Sequence, residues 1–153
     1  MIAYLDASAL VKRYVSERGS RETIALTADA ELTATSIVSR AEVTAALGRA
    51  ARIGLVTHDV ARNAQRSFAS DWPDLARVPV TEALVERAAA LAWEQGVRGY
   101  DAMQLASALT WQESVGQEIV VATFDQQLWE AATRSGLKPW PEKRPGGTTE
   151  SET

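Results

Sequence analysis

Two acidic residues directly follow apolar segments of the sequence. Asp6 follows "IAYL" at 2–5, and Asp125 follows "EIVVATF" at 118–124. Short apolar runs that are rich in β-branched residues are typical of buried strands. The sites of α/β proteins lie beyond the carboxyl ends of parallel strands, so we expect both carboxylates at one edge of a sheet.

Two further acidic residues lie in segments with helical periodicity. Glu42 lies within the segment 37–53, and its neighbours one turn away on the same face are apolar. Asp101 is predicted to cap the helix that contains "DAMQLASAL", and Gln104 three residues later would complete a capping box. Capping also explains the two acids that follow strands, and a solvated helix edge explains Glu42. Each acid taken alone therefore has a purely structural interpretation.

The four acids together indicate a metal site. Carboxylates that converge on one pocket raise one another's pKa values unless a cation neutralises them. The sequence has no cysteine and one histidine, and hard oxygen ligands suit Mg²⁺, with Mn²⁺ as a substitute. Such an ion orients a water molecule, favours its hydroxide form and stabilises the charge of a phosphodiester under attack. The candidate catalytic residues are Asp6, Glu42, Asp101 and Asp125.

The elements that must position these acids alternate between strand and helix. This alternation predicts an α/β domain with a mainly parallel central sheet. Further strands are predicted at 31–35, 76–80 and 137–140, and further helices at 8–15, 20–28, 58–72, 82–95 and 126–136. Ser36 is predicted to cap the helix at 37–53. The domain is expected to span 1–140, and the segment 141–153, which has no apolar periodicity, to form a disordered tail.

Composition limits the classes of function. The chain has 153 residues, enough for one domain, and no apolar run approaches the ~20 residues of a membrane helix. The N-terminus does not resemble a signal peptide, so we expect a cytoplasmic protein with no membrane partner. A net charge of −4 argues against a generally basic nucleic-acid binder, although local arginines can bind phosphates. Arg40, Arg49 and Arg52 are candidates for an RNA groove, and solvated helix faces explain them as well.

Four segments of the sequence resemble PIN-domain ribonucleases in their order and approximate spacing. They are "LDASALVKRY", "SRAEVTAAL", "GYDAMQLASAL" and "ATFDQQLWEAA". The resemblance covers about residues 1–140 and is greatest to the VapC toxins of bacterial and archaeal toxin–antitoxin pairs. It implies a three-layer α/β/α fold. It also implies metal binding at Asp6, Asp101 and Asp125, catalysis with Glu42, and supporting hydroxyls at Ser8 and Thr123.

The resemblance therefore predicts a Mg²⁺-dependent endoribonuclease, the toxin of a VapBC-type pair. Water would attack phosphorus in line and leave a 5′-phosphate and a 3′-hydroxyl. The expected partners are an RNA substrate, a cognate antitoxin protein and a second copy of the chain in a homodimer. The alternatives are an RNA-processing PIN nuclease without an antitoxin, and an inactive PIN-like module that binds RNA or protein. Metal-dependent cleavage separates both enzymes from the binding module.

Overall fold

The computed structural model describes residues 1–146, and within that range five short strands form one sheet. The strands are β1 (Ile2–Leu5), β2 (Leu32–Ser36), β3 (Ala76–Val78), β4 (Val120–Ala122) and β5 (Lys138–Trp140). Their order across the sheet is β3-β2-β1-β4-β5, and every neighbouring pair is parallel. The first strand of the chain therefore lies at the centre of the sheet.

Seven helices of the described range cover the two faces of the sheet. They are α1 (Ala7–Leu10), α2 (Ser20–Asp29), α3 (Ser39–Arg52), α4 (His58–Asp71), α5 (Glu82–Gln95), α6 (Gly99–Val115) and α7 (Gln126–Arg134). Short 3-10 turns follow α1 and α4. This arrangement confirms the predicted α/β/α fold with a parallel central sheet.

Alternation along β1 divides the core into two clusters. Tyr4 packs into one cluster with residues of α5, α6 and α7, whereas Ala3 and Leu5 pack into the other with residues of α1, α3 and α4. Side chains of successive strand residues point to opposite faces, so a strand buried on both faces is apolar throughout. This explains why "IAYL" is a continuous apolar run rather than an alternating one.

The register of the three central strands brings their carboxyl ends together. Leu5 of β1 pairs with Ala122 of β4, and the Asp6 amide donates to the Ala122 carbonyl at 3.1 Å. On the other side, Tyr4 pairs with Ala34 of β2. The segments that follow β1, β2 and β4 therefore meet at one edge of the sheet.

The segment that follows β5 was predicted to be disordered over 141–153, and residues 147–153 lie outside the described residues. Residues 141–146 contact α7. The Trp129 indole Nε1 donates to the Pro141 carbonyl at 2.8 Å, and the Arg144 guanidinium pairs with Glu130. The first part of this segment therefore packs against the last helix.

The other boundaries differ from the predictions by a few residues. The helix predicted over 37–53 begins at Ser39, and the Ser36 hydroxyl accepts the Val38 amide at 3.3 Å without capping the helix. The predicted cap at Ser36 is therefore wrong. In residues 1–146, no helix combines the length and the apolar character needed to cross a membrane.

Candidate active site

Asp6 lies at the centre of the sheet edge and is 4% exposed. It caps α1, because its Oδ1 accepts the Ala9 amide at 2.9 Å. The Ser8 hydroxyl donates to Oδ1 at 2.7 Å, and the Thr123 hydroxyl donates to Oδ2 at 2.7 Å. A carboxylate has several lone pairs, so Asp6 can cap α1 and also accept the Ser8 and Thr123 hydroxyls. Capping is therefore compatible with a functional role at this residue.

The hydroxyls of Ser8 and Thr123 also hold the loop after β4. The Phe124 amide donates to Ser8 Oγ at 2.9 Å, and the Asp125 amide donates to Thr123 Oγ1 at 3.1 Å. Each hydroxyl accepts one amide of this loop and donates to Asp6. Because these amides bond to side chains, β4 ends at Ala122, before the predicted end of the strand at 124.

Burial raises the pKa of Asp6 to about 6. The hydrogen bonds from Thr123, Ser8 and the Ala9 amide oppose this rise, and the negative charge of Asp125 adds to it. The ordinary value for this side chain is 3.8. Between about pH 4 and pH 6, Asp6 is therefore protonated to a greater extent in the folded protein than in the unfolded chain.

This difference predicts a pH-dependent effect of Asp6→Asn in the absence of metal. Stability should fall as pH rises through this range, because the carboxylate charge is buried. Asn cannot ionise and caps helices as well as Asp does. We therefore expect Asp6→Asn to raise the free energy of unfolding at pH 7 by about 1–3 kcal/mol, with little effect at pH 4.

Urea unfolding in EDTA at pH 4 and pH 7 measures this effect. Asp59→Asn is a matched control, because Asp59 is an exposed acid in the first turn of α4. An Asp6→Asn protein that is less stable than the wild type at pH 7 would contradict the prediction.

Asp101 lies inside helix α6 and does not cap it. The helix begins at Gly99, its N-cap is Arg98, and no side chain caps it. The predicted cap at Asp101 is therefore wrong. The side chain is free for another role, although it is buried at 8% exposure. Burial raises the pKa of Asp101, the negative charge of Asp125 raises it further, and Arg98 opposes both effects.

Arg98 joins Asp101 to Asp125. Its Nε lies 3.2 Å from Asp101 Oδ2, and its Nη2 lies 3.0 Å from Asp125 Oδ2. The other oxygen of Asp125 caps α7 by accepting the Leu128 amide at 2.9 Å. The two acids thus share one guanidinium at the mouth of the site.

Glu42 lies at the opposite side of the site, in the first turn of α3, and is held by Gln104. The Gln104 amide nitrogen donates to Glu42 Oε1 at 2.8 Å and to Ser39 Oγ at 3.0 Å. Its oxygen accepts the buried Tyr4 hydroxyl at 2.6 Å. The capping box predicted for Gln104 is therefore wrong, and Glu42 is half-buried rather than fully exposed. Burial raises the pKa of Glu42, Gln104 opposes this effect, and the charge of Asp101 adds to it.

Within residues 1–146, no three Asp, Glu, His or Cys side chains lie close enough together to hold one metal ion. The negative charge of Asp125 raises the pKa of both Asp6 and Asp101, and the charge of Asp101 raises the pKa of Glu42. The donors at this edge are carboxylates and hydroxyls, a set that fits a hard divalent cation. Metal binding by Asp6, Asp101 and Asp125 stays a prediction.

The three arginines proposed to line an RNA groove do not form one cluster with the acids. Arg52 lies in a cleft between α3 and α4 with Arg62 and Arg66. The Arg40 guanidinium lies 5.8 Å from the centroid of the Trp72 ring. Arg49 is exposed near the end of α3. RNA binding by Arg40, Arg49 and Arg52 stays a prediction.

Comparison with known proteins identifies the family. Residues 3–133 match the family described as "PIN domain". The chain belongs to the PIN domain family. This PIN domain is 35% identical over 141 residues to "Ribonuclease VapC45" of Mycobacterium tuberculosis (strain CDC 1551 / Oshkosh), covering 92% of this chain and 95% of that protein. "Ribonuclease VapC49" of Mycobacterium tuberculosis (strain ATCC 25618 / H37Rv) matches with the same identity and coverage.

The fold of this PIN domain also occurs in solved structures. The "Toxin-antitoxin complex from Klebsiella pneumoniae" matches with a TM-score of 0.56 and 18% identity, and the match covers 81% of this chain and 87% of that chain. VapBC2 from Rickettsia felis, bound to a DNA fragment from its promoter, matches with a TM-score of 0.60 and 12% identity. The match covers 91% of this chain and 97% of that chain. The resemblance inferred from the four sequence segments is confirmed.

Sequence reasoning missed Arg98 at the site of this PIN domain and gave Gln104 the wrong role. Arg98 stands three residues before Asp101, a spacing at which side chains meet on a helix. That signal depends on placing the helix start at Gly99. Gln104 is an amide flanked by the apolar residues Met103 and Leu105, and a buried amide needs hydrogen-bond partners.

Proposed function

We propose that this PIN domain is a metal-dependent endoribonuclease that hydrolyses phosphodiester bonds of RNA, and that it is the toxin of a toxin–antitoxin pair. The observation that carries the proposal is the chain of hydrogen bonds that links Asp6 through Thr123 to Asp125, and Asp125 through Arg98 to Asp101. The 35% identity to proteins named ribonucleases, over 92% of the chain, supports RNA as the substrate.

Asp6, Asp101 and Asp125 would hold Mg²⁺, which Mn²⁺ can replace, once their side chains approach one another, because no three acids of residues 1–146 lie close enough to hold one ion in this structure. When bound, the ion supplies a polarised water and neutralises charge on the phosphodiester. The chain's own residues prepare the site. Ser8 and Thr123 fix the orientation of Asp6 through their hydrogen bonds to both of its oxygens.

Glu42 is proposed to accept a proton during hydrolysis. Its carboxylate is fixed on one side by Gln104, and burial raises its pKa. A carboxylate with a raised pKa is a stronger base, and general bases work best when their pKa lies near the operating pH. Glu42 therefore fits the role of a proton acceptor better than that of a ligand, since its closest polar partner is an amide.

The proposed partners are an antitoxin protein and a second copy of the chain. The solved toxin–antitoxin complex from Klebsiella pneumoniae, which has the same fold, supports an antitoxin partner. An antitoxin that covers the acidic edge would block access of RNA to Asp6 and Asp101. We propose a cytoplasmic location, where the RNA substrate and the antitoxin are available.

Incubation of the purified protein with total RNA tests the function. We expect cleavage at internal positions with Mg²⁺ and none with EDTA, and mapping of the ends should show a 5′-phosphate and a 3′-hydroxyl. Addition of the antitoxin encoded beside the gene should stop the reaction. RNA binding without cleavage at any Mg²⁺ or Mn²⁺ concentration would instead favour a binding module. Cleavage with no inhibitory neighbour would favour an RNA-processing nuclease.

A further inference from the structure

Arg98 places a positive charge between two acids that are proposed to hold the metal. Its guanidinium contacts Oδ2 of Asp101 at 3.2 Å and Oδ2 of Asp125 at 3.0 Å. The two carboxylates come from different helices, α6 and α7. A single side chain therefore bridges two elements at the point where their negative charges face each other.

The backbone around Arg98 is fixed, whereas its side chain is free to move. Gly96 ends α5 in the left-handed conformation at φ 66°, and Val97 is buried at 8% exposure. Arg98 itself begins α6 in an extended conformation. Its side chain is 69% exposed. The guanidinium can leave the acids by side-chain rotation, without disturbing the core.

A divalent cation held by Asp101 and Asp125 would compete with the guanidinium for their carboxylates. It would replace the N–H donors of Arg98 and would repel its charge at short range. The two cations are thus alternatives at this pair of acids. Molecules in which Arg98 contacts the two acids are not competent to bind the metal. The apparent metal affinity of the protein is therefore scaled down by the fraction of molecules in which Arg98 has left.

We propose that Arg98 is an internal counter-ion that must leave Asp101 and Asp125 before a divalent metal binds, and that it thereby weakens the metal affinity of the free protein. This inference rests on the proposed function, because it takes these acids as metal ligands. Arg98 keeps the acids neutralised until metal is bound and is a positioning residue for Asp101 and Asp125.

Titration of the RNA-free protein with Mn²⁺, followed by the electron paramagnetic resonance signal of the free ion, tests the inference. Arg98→Gln removes the charge and retains hydrogen-bonding groups. We expect it to bind Mn²⁺ about five- to tenfold more tightly than the wild type, as loss of two exposed ion pairs allows. Arg98→Lys keeps the charge but loses the planar fork that contacts both acids, so its Mn²⁺ affinity should lie between those of the wild type and Arg98→Gln.

Arg87→Gln is the matched control. Arg87 forms a bidentate pair with Glu113 on the surface between α5 and α6, at 2.8 Å and 2.6 Å. Its loss should leave Mn²⁺ affinity unchanged. Equal or weaker Mn²⁺ binding by Arg98→Gln than by the wild type would overturn the inference, as would the absence of binding in both proteins.

The failure of the inference is distinguishable from the failure of the proposed function. Metal-dependent RNA cleavage by the wild type, together with equal Mn²⁺ affinity in Arg98→Gln, would overturn the role of Arg98 and leave the nuclease. Tighter Mn²⁺ binding by Arg98→Gln with no cleavage of any RNA would support the role of Arg98 and overturn the nuclease. The Mg²⁺-induced rise in Tm, which should be larger for Arg98→Gln, is an independent readout.

Discussion

Asp6→Asn is expected to reduce RNA cleavage by more than about 100-fold while the protein stays folded. Loss of groups that only orient metal ligands already costs about 10–100-fold in affinity or activity, so loss of a ligand should cost more. Asn retains the size of Asp and the ability to accept the Ala9 amide, so α1 should remain capped. Only the negative charge and one of the two oxygens are removed.

Single-turnover cleavage of a labelled RNA in Mg²⁺ measures this loss, with circular dichroism to check the fold. Asp59→Asn, which changes an exposed acid of α4, should cleave at the wild-type rate. Asp6→Asn should also be more stable than the wild type at pH 7 in EDTA, so the variant should gain stability while losing activity. Cleavage at the wild-type rate would show that Asp6 is only a helix cap.

Gln104→Met is expected to lower the free energy of unfolding by about 2–4 kcal/mol. Methionine has a similar volume, so the packing of α6 should change little. The substitution leaves the Tyr4 hydroxyl, which is 0% exposed, without its hydrogen-bond acceptor. A buried polar group without a partner costs about 1–3 kcal/mol. The Ser39 hydroxyl loses the Gln104 amide but keeps its hydrogen bond from Thr35, so it adds a smaller loss.

Urea unfolding measures this change, and Tyr4→Phe isolates its cause. Gln104→Met leaves the Tyr4 hydroxyl unpaired, and the Tyr4→Phe/Gln104→Met double variant removes that hydroxyl. The double variant should therefore be about 1 kcal/mol more stable than the sum of the two single effects predicts. Gln65→Met, at an exposed position of α4, should change stability by less than about 0.5 kcal/mol. Additive effects of Tyr4→Phe and Gln104→Met would mean that the two side chains are not coupled.

The sequence predicts the parts of the site that depend on strand ends. The apolar runs before Asp6 and Asp125 identify buried strands, and parallel pairing alone brings their carboxyl ends together. The supporting positions of Ser8 and Thr123 followed from the family resemblance, and the structure shows both hydroxyls bonded to Asp6. These features are local or depend on topology, which the alternation of strands and helices indicates well.

The sequence does not predict the contacts between distant segments. Asp101 is a good N-cap residue, so local propensity favours a helix start there, yet the helix begins at Gly99, a weak helix former. The same error hides the i, i+3 relation between Arg98 and Asp101. The partners of Gln104 come from β1 and α3, 62–100 residues away along the chain. Local capping rules cannot indicate such pairs.

The central place of β1 has a consequence for when the site assembles during synthesis. Within this sequence β1 is made before β4, which borders it on one side and lies more than 110 residues later. The hydrogen bond from the Thr123 hydroxyl to Asp6 can form only when β4 has docked beside β1. The same holds for the hydrogen bond from the Phe124 amide to Ser8. The growing chain therefore carries the acids of the proposed site before they are arranged. If the proposed function holds, RNA cleavage would begin only after β4 has been made and has docked beside β1.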